Sequence, residues 1–411
     1  MTKSVVIIGG GLIGLSTAFF LTELGGTEVT IIDHGKLGGG AARGNAGYMC
    51  GSILEPLANP AAIPAAFKSL KDPTRALRVD PTKLPSLLPW FVKFASRSTA
   101  ATHRKTSTEL VNFNRPMLQL MEQMTAAGID VTQGKGLVVP FHDEGLARRW
   151  GDVMSPMSEM LGYPTLKMLG GDELRKVVPA LTDHINAGFV MEADRSIDPR
   201  RYVDTMIDVI RSRGVRIIED APIRSFEYGN GRIGAVKTAQ GSVAGGEFVL
   251  AVGSGSRVMG KMLGLRIPVI AGQGYNVALP KDAGMESPVI FEEAHAASTP
   301  FDDQIRLGGT MEFAGDNPKF DGRRVDAIVN SMRKFVNLDW EKRTGTWAGC
   351  RPMTADGKPF IGRPKGWQNL TLATGHGMFG LTLSPVTGHV VSELLVHGQA
   401  SADLTPFHPN R

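Results

Sequence analysis

The sequence predicts an α/β fold, α+β overall, and three observations carry that reading. The chain opens with a strand, a glycine turn, a helix and a second strand. Its middle alternates helix-period segments with short β-branched or alternating runs. Near its end a second glycine-rich turn feeds an apolar helix. At 411 residues the chain is too long for one ordinary core, so two domains are expected.

Taken in order, Ser4 to Ile8 is a β-branched run that reads as a buried strand, Leu12 to Leu24 as a helix, and Glu28 to Ile32 as a strand ending at Asp33. Gly38 to Gly47 is a loop containing Arg43 and Asn45. From Leu54 to Trp90, prolines at 56, 60, 64, 73, 81, 85 and 89 predict only short helices and turns. Leu110, Phe113, Met117, Leu120, Met121 and Met124 fall at helical spacing and predict one long helix over Thr106 to Ala127. Gly136 to Pro140 reads as a strand, Pro199 to Arg213 as a helix, and Val215 to Glu219 as the strand after it. Ile233 to Thr238 and Glu247 to Val252 alternate like sheet strands, with Gly229 to Gly231 as a turn. Strand-like pieces continue from Gly272 to Gly309, and Arg324 to Phe335 reads as a helix. Gly375 to Ser384 reads as a loop. A final helix is expected from Pro385 to about His397, with Ser384 as its N-cap and Pro385 as its first residue.

The composition excludes several classes. Lys and Arg number 45 against 40 Asp and Glu, a net charge of +5 that demands no nucleic acid, and no nucleic-acid motif accompanies it. The two cysteines, Cys50 and Cys350, cannot build a disulfide framework and point to a reducing, cytoplasmic compartment. Nine scattered histidines and two distant cysteines predict no metal cluster. No G-x-S-x-G elbow or H-E-x-x-H helix suggests a hydrolase. Val5 to Leu21 is nearly uncharged, but Gly9, Gly10, Gly11 and Gly14 interrupt it where a βα turn needs them, so no signal peptide or membrane span is expected.

Gly9-Gly10-Gly11-Leu12-Ile13-Gly14 has the G-x-G-x-x-G spacing of a Rossmann-type unit. Gly9 permits the tight turn, Gly11 lets backbone approach a pyrophosphate, and Gly14 lets helix and strand pack closely. The helix N-terminus offers free N–H groups and a positive dipole end. Asp33 stands where a carboxylate can accept hydrogen bonds from a ribose. The motif predicts a dinucleotide and does not choose between FAD and NAD.

The second glycine turn is Gly375-His376-Gly377-Met378-Phe379-Gly380, followed by Leu381-Thr382-Leu383-Ser384-Pro385. A capped core helix would need Ser-Pro but not three upstream glycines. Glycines here let backbone lie against a flat ring, and a helix N-terminus would stabilise the negative charge of a reduced flavin. An NAD enzyme would leave this turn without a role.

These segments together resemble the D-amino-acid oxidase and glycine oxidase superfamily of FAD enzymes. The likeness rests on Val6 to Gly14 with Asp33, on Val249-Leu250-Ala251-Val252-Gly253, on Gly349 to Gly362 with its Arg-Pro-Met-Thr-Ala-Asp-Gly-Lys-Pro core, and on the Gly375 turn. Gly44-Asn45-Ala46-Gly47, the proline-rich stretch ending at Trp90, and Gly274-Tyr275 make the chain most similar to small-subunit-type bacterial D-amino-acid dehydrogenases. Related hydroxyproline dehydrogenases share much of this pattern.

The resemblance implies a Rossmann-type FAD-binding domain of residues 1–54, 185–262 and 346–411, interleaved with a mostly antiparallel-sheet substrate domain of 55–184 and 263–345. It implies non-covalent FAD held by Gly9, Gly11, Leu12, Ile13, Gly14, Asp33, His34, Arg43, Asn45, Ala46, Gly47, Ile223, Ala251, Gly253, Gly377, Met378, Phe379, Gly380, Leu381 and Thr382. Arg351 would hold the carboxylate of a small amino-acid substrate, Tyr275 would bind that carboxylate or close the site, and His376 would line it. The expected reaction is oxidative deamination of a D-amino acid or D-hydroxyproline-like substrate, with hydride passing from Cα to flavin N5 and electrons onward to a quinone or other carrier. A 2-hydroxy-acid or secondary-amine (sarcosine- or glycine-like) oxidase is the alternative. An NAD-dependent dehydrogenase or a non-enzymatic flavin-binding module stands behind it. Ala66 to Lys105 holds nine Lys and Arg against two Asp among Leu, Pro, Trp90 and Phe91. The plain reading is a solvated face; the sharper one is a peripheral contact with the inner face of the plasma membrane.

Overall fold

The computed structural model describes residues 3–71, 75–131, 136–281, 285–316 and 318–411. Its six-stranded sheet runs in the order Phe360–Gly362, Leu370–Thr374, Glu247–Leu250, Lys3–Ile8, Thr27–Ile32 and Arg216–Ile218. All neighbours are parallel except the first pair. A parallel sheet needs cover on both faces, which is why Val5, Val6, Ile7 and Ile8 are all buried. The helix Leu12–Leu24 is buried all round from Leu12 to Leu21, as expected of a helix apolar on every side. It lies against the last helix, Gly380–His397, so closely that a Cβ on Gly388 would sit 2.6 Å from the Ser16 carbonyl carbon.

That last helix begins earlier than the sequence suggests. Pro385 lies inside it and Ser384 donates to Leu381 O at 2.8 Å, so Ser384 is not its N-cap. Pro385 has no N–H for Leu381 O, the carbonyl four residues back, and the Ser384 hydroxyl takes that acceptor instead. The segment Gly377–His397 is long enough to cross a membrane and holds an 18-residue window of mean hydropathy 1.3, but 67% of that window is buried inside the fold.

The second sheet has nine strands. Its path runs Gly345–Met353, Ile270–Pro280, Gln304–Phe313, Ala296–Pro300, Val289–Phe291, Leu137–Phe141, Ala187–Met191 and Leu169–Gly170, with Leu77–Val79 beside Gln304–Phe313. Pairing is antiparallel apart from Val289–Phe291 with Leu137–Phe141 and Leu77–Val79 with Gln304–Phe313. The helix Gly322–Met332 covers one face: Val325, Ile328, Val329 and Met332 share a core with Tyr275, Val277 and Leu279.

Three further expectations change. Ala187–Met191 and Gly345–Met353 pair into the nine-stranded sheet, so the boundaries at 185 and 346 fall too early. Local sequence gives strand character without naming the partner strand. The long helix expected over Thr106 to Ala127 is two helices, Ala100–Asn114 and Met117–Ala126, parted at Pro116, which cannot donate into the ladder. The proline-rich stretch also carries a longer helix than expected, Leu84–Arg97, with Pro85 in its first turn and Pro89 inside it.

Candidate active site

The first glycine turn has the geometry its spacing implies. Gly9 takes φ 107°, and a Cβ there would stand 2.5 Å from Ala251 O. A Cβ on Gly14 would stand 1.9 Å from Gly9 O, whereas one on Gly11 would meet nothing within 4 Å. The turn is therefore tight toward the protein at Gly9 and Gly14 and open at Gly11, where Leu12 and Ile13 begin the helix. Asp33 accepts from the Gly10 amide at 2.7 Å and the Gly35 amide at 2.9 Å, which fixes its carboxylate beside the turn. Exposed His34 reaches Asp33 Oδ1 at 3.1 Å. The Ala221 amide bonds Asp33 O, which brings Ile223 to the same edge, and the Ala251 amide bonds Ile8 O, which places Gly253 at the next strand end.

The segment after the second strand is held by side chains from strands of the nine-stranded sheet. Arg306 Nη1 donates to Arg43 O at 2.9 Å and to Asn45 O at 2.7 Å. Asn276 donates to Gly44 O at 2.7 Å and Thr299 to Ala46 O at 2.6 Å. The Arg43 guanidinium itself turns to Asp204, at 2.7 Å, and within the loop the Asn45 side chain donates from Nδ2 to Ala42 O and accepts the Gly47 N–H on Oδ1. The amides of Gly44, Asn45 and Ala46 have no acceptor among the described residues.

The C-terminal turn reaches the same place. Gly377–Phe379 forms a single 3₁₀ turn ahead of Gly380, and Thr382 donates to Tyr48 O at 3.0 Å, just beyond Gly47. Met378 projects outward and Leu381 inward. His376 is buried, with Nε2 3.0 Å from Thr387 Oγ1, and burial pushes its pKa down to about 3. It is a neutral ring tied to the helix.

Arg351 lies on the face of Gly345–Met353 that Gly272 and Gly274 share. A Cβ on Gly274 would be 1.9 Å from its Nη1, so glycine there makes the space for the guanidinium. Nη1 donates to Thr310 O at 3.1 Å and passes Met311 Sδ at 3.8 Å; no carboxylate pairs with it among the described residues. Desolvation pushes its pKa down to about 10, so the group stays cationic at neutral pH. Asn276, two residues beyond Gly274 and therefore on the same face, reaches the Gly44 loop. Trp347 covers Gly44: a Cβ on Gly44 would stand 2.3 Å from its ring. Arg351 thus lies on the face of the sheet that meets the Gly44 loop.

Tyr275 does not join it. Its side chain is on the opposite face, in the core beneath Gly322–Met332, with its hydroxyl donating to Glu312 at 2.6 Å. Glu312 in turn pairs with Arg78 at 2.9 Å. Cys350 is opposite Gln273 in register and shares Tyr275's face, away from Arg351.

Two helix N-termini, a fixed carboxylate, an open glycine and three amides with no acceptor among the described residues are features that would suit a dinucleotide. The model of the FAD-dependent oxidoreductase family matches residues 4–394. This chain belongs to that family. FAD is its cofactor. Among curated relatives it is similar to a D-amino acid dehydrogenase of Vibrio atlanticus, 29% identical over 412 residues and covering 97% of this chain and 96% of the relative. It is also similar to a D-amino-acid oxidase of Bradyrhizobium diazoefficiens, 29% identical and covering 100% and 99%. The fold matches L-proline dehydrogenase from P. horikoshii with a TM-score of 0.77 at 19% identity, covering 100% of this chain and 97% of that one. It matches glycine oxidase from Geobacillus kaustophilus with a TM-score of 0.76 at 21% identity, covering 100% and 99%.

Sequence reasoning missed Arg306, Asn276, Thr299 and Trp347. Each lies more than 200 positions from the loop it holds, and no local pattern marks it.

Proposed function

We propose that this oxidoreductase performs oxidative deamination of an amino acid, a D-amino acid or a D-hydroxyproline-like one, with Arg351 as the anchor for the substrate carboxylate. The observation that carries this reading is the desolvated Arg351 guanidinium, which lacks a carboxylate partner among the described residues and faces the loops that receive the cofactor. A planar fork in a dry site selects a carboxylate and fixes the direction of Cα. When bound, FAD supplies the acceptor for the electron pair leaving Cα. The names of the relatives, D-amino acid dehydrogenase and D-amino-acid oxidase, point the same way.

In this reading neither His376 nor Tyr275 takes the substrate proton. His376 stays neutral against Thr387, and the Tyr275 hydroxyl, its pKa pushed up by burial, is held by Glu312. The amine loses its proton to water before the step, so kcat/KM rises with pH across the substrate amine's own ionisation. The product imino acid hydrolyses to a keto acid and ammonia; a cyclic substrate yields a cyclic imine. FAD is non-covalent, since the Cys350 thiol lies on the far face of its strand.

The electron acceptor is a quinone or another carrier met at a membrane surface. Leu88 and Val92 on the Leu84–Arg97 helix are 52% and 62% exposed, and Phe67 on the preceding helix is 68% exposed. Trp90 and Lys93 of the Leu84–Arg97 helix join Arg257, Lys261, Arg266 and Ile267 in lining a cleft of about 810 Å³. Exposed apolar residues among cations suit an anionic bilayer. Cosedimentation with anionic phospholipid vesicles at low salt tests the contact; protein that stays in the supernatant refutes it. A dye-linked assay over D- and L-isomers, with keto acid and ammonia measured, tests the reaction. Turnover of 2-hydroxy acids or secondary amines alone would replace the substrate class.

A further inference from the structure

We infer that Arg306, with Thr299 and Asn276, is the positioning residue of the cofactor loop: it holds the 43–46 carbonyls toward the nine-stranded sheet so that the amides of Gly44, Asn45 and Ala46 face FAD. The argument is geometric. In a trans peptide the carbonyl of one residue and the N–H of the next point in opposite directions. The carbonyls of Arg43, Gly44, Asn45 and Ala46 all accept side-chain donors from Gln304–Phe313, Ile270–Pro280 and Ala296–Pro300, so the amides that follow them are turned away from that sheet. The Gly47 amide is taken by Asn45 Oδ1, while those of Gly44, Asn45 and Ala46 have no acceptor among the described residues and are left for one outside the protein. Successive amides aimed into one space form a concave donor site for an anion or a carbonyl edge.

Arg306 is built for this role and for no other visible one. It is 5% exposed, and its guanidinium carbon lies 4.8 Å from the Phe301 ring centroid. Phe301 also packs where a Cβ on Gly47 would come within 3.1 Å, so the same hairpin grips both ends of the loop. Burial pushes the Arg306 pKa down to about 10, which keeps it cationic at neutral pH. Neighbouring Asp198 and Asp303 bond Arg200 instead. A buried guanidinium that spends a nitrogen on two main-chain carbonyls organises backbone rather than pairing charge. Because the clamp comes from the substrate domain and the loop from the nucleotide-binding unit, docking of the two parts and binding of FAD are linked.

The test uses Arg306→Met, which keeps the stem and removes the donors, with Arg306→Lys and Thr299→Val beside it. FAD is stripped and the apoprotein titrated with FAD by quenching of flavin fluorescence. The inference expects the FAD dissociation constant to rise about tenfold or more in Arg306→Met, less in Thr299→Val, with partial recovery in Arg306→Lys. It also expects an altered visible circular dichroism of the bound flavin and a smaller rise in melting temperature on saturation with FAD. A purely structural role would lower apoprotein stability and leave FAD affinity and the flavin spectrum of the folded fraction unchanged; that result overturns the inference. If Arg306→Met does not fold, Thr299→Val decides, since loss of one hydroxyl should still weaken FAD binding and unchanged affinity would refute the clamp. Wild-type protein that binds no FAD would defeat the flavin assignment itself.

Discussion

Replacing Arg351 by Met gives a prediction whose size follows from the structure. The guanidinium is desolvated and its only protein acceptors among the described residues are Thr310 O and, weakly, the Met311 sulfur. Its remaining N–H groups are available to a substrate carboxylate, and a bidentate pair in such a site is of the charge-assisted kind. Removing one partner of a buried hydrogen-bonded charge pair costs about 2–5 kcal/mol. At about 1.36 kcal/mol per decade, kcat/KM should fall by about 30-fold to 5,000-fold. Met preserves most of the volume, and the loss of a desolvated cation should leave stability unchanged or raised. Arg351→Lys should fall between, since it keeps charge without the fork. Gly274→Ala should reproduce the defect, because its methyl would displace the guanidinium at 1.9 Å. The assay is dye-linked turnover of an amino acid and of the matching amine without its carboxylate. Wild type should discriminate strongly between them and Arg351→Met hardly at all. An Arg351→Met enzyme that retains FAD and keeps both kcat/KM and discrimination within about threefold refutes the assignment.

Three other substitutions probe separate features. Gly11→Ala should lower apoprotein stability by no more than about 1 kcal/mol, the cost of losing an N-cap glycine, yet weaken FAD binding, because its Cβ meets no protein atom within 4 Å, whereas Gly14→Ala should destabilise by about 1–3 kcal/mol against Gly9 O; thermal melts with and without FAD separate the two. His376→Gln should leave the pH profile of kcat/KM without a lost or shifted step between pH 5 and 9, since the ring's pKa is held near about 3; a step that disappears would make the ring a proton carrier. Glu292, whose carboxyl is pushed up to about 7 by burial and then by Glu55, binds a proton more tightly folded than unfolded. Its contribution is full below the unfolded carboxyl pKa and is lost as pH rises through about 7. Glu292→Gln should therefore match wild type near pH 4.5 and be the more stable protein above pH 7, measured by denaturant melts at each pH.

The nucleotide-binding half was legible because its signals are local. Gly9, Gly11 and Gly14 sit where a turn, an open approach and a helix contact require them, and Asp33 follows at the next strand end. Arg351 was named through the family resemblance of Gly349 to Gly362 and the fit of a guanidinium to a carboxylate, whereas the space that Gly274 makes for it shows only in the sheet register. Tyr275 was expected in the site, but strand parity turns it toward Glu312, and parity depends on register that one sequence does not carry. Ser384-Pro385 looked like a helix start because an N-cap and a first-turn proline have the same local form as a proline one turn in. The clamp of Arg306, Thr299 and Asn276 left no trace at all, since its contacts close loops of more than 200 residues.

The most direct measurement is an absorption spectrum of the purified protein followed by anaerobic titration with D- and L-amino acids, including the hydroxyproline isomers. The account predicts flavin bands that bleach with an amino acid, most readily a D-isomer, and that no longer bleach at comparable rate in Arg351→Met. Flavin bands that no amino acid bleaches would contradict it.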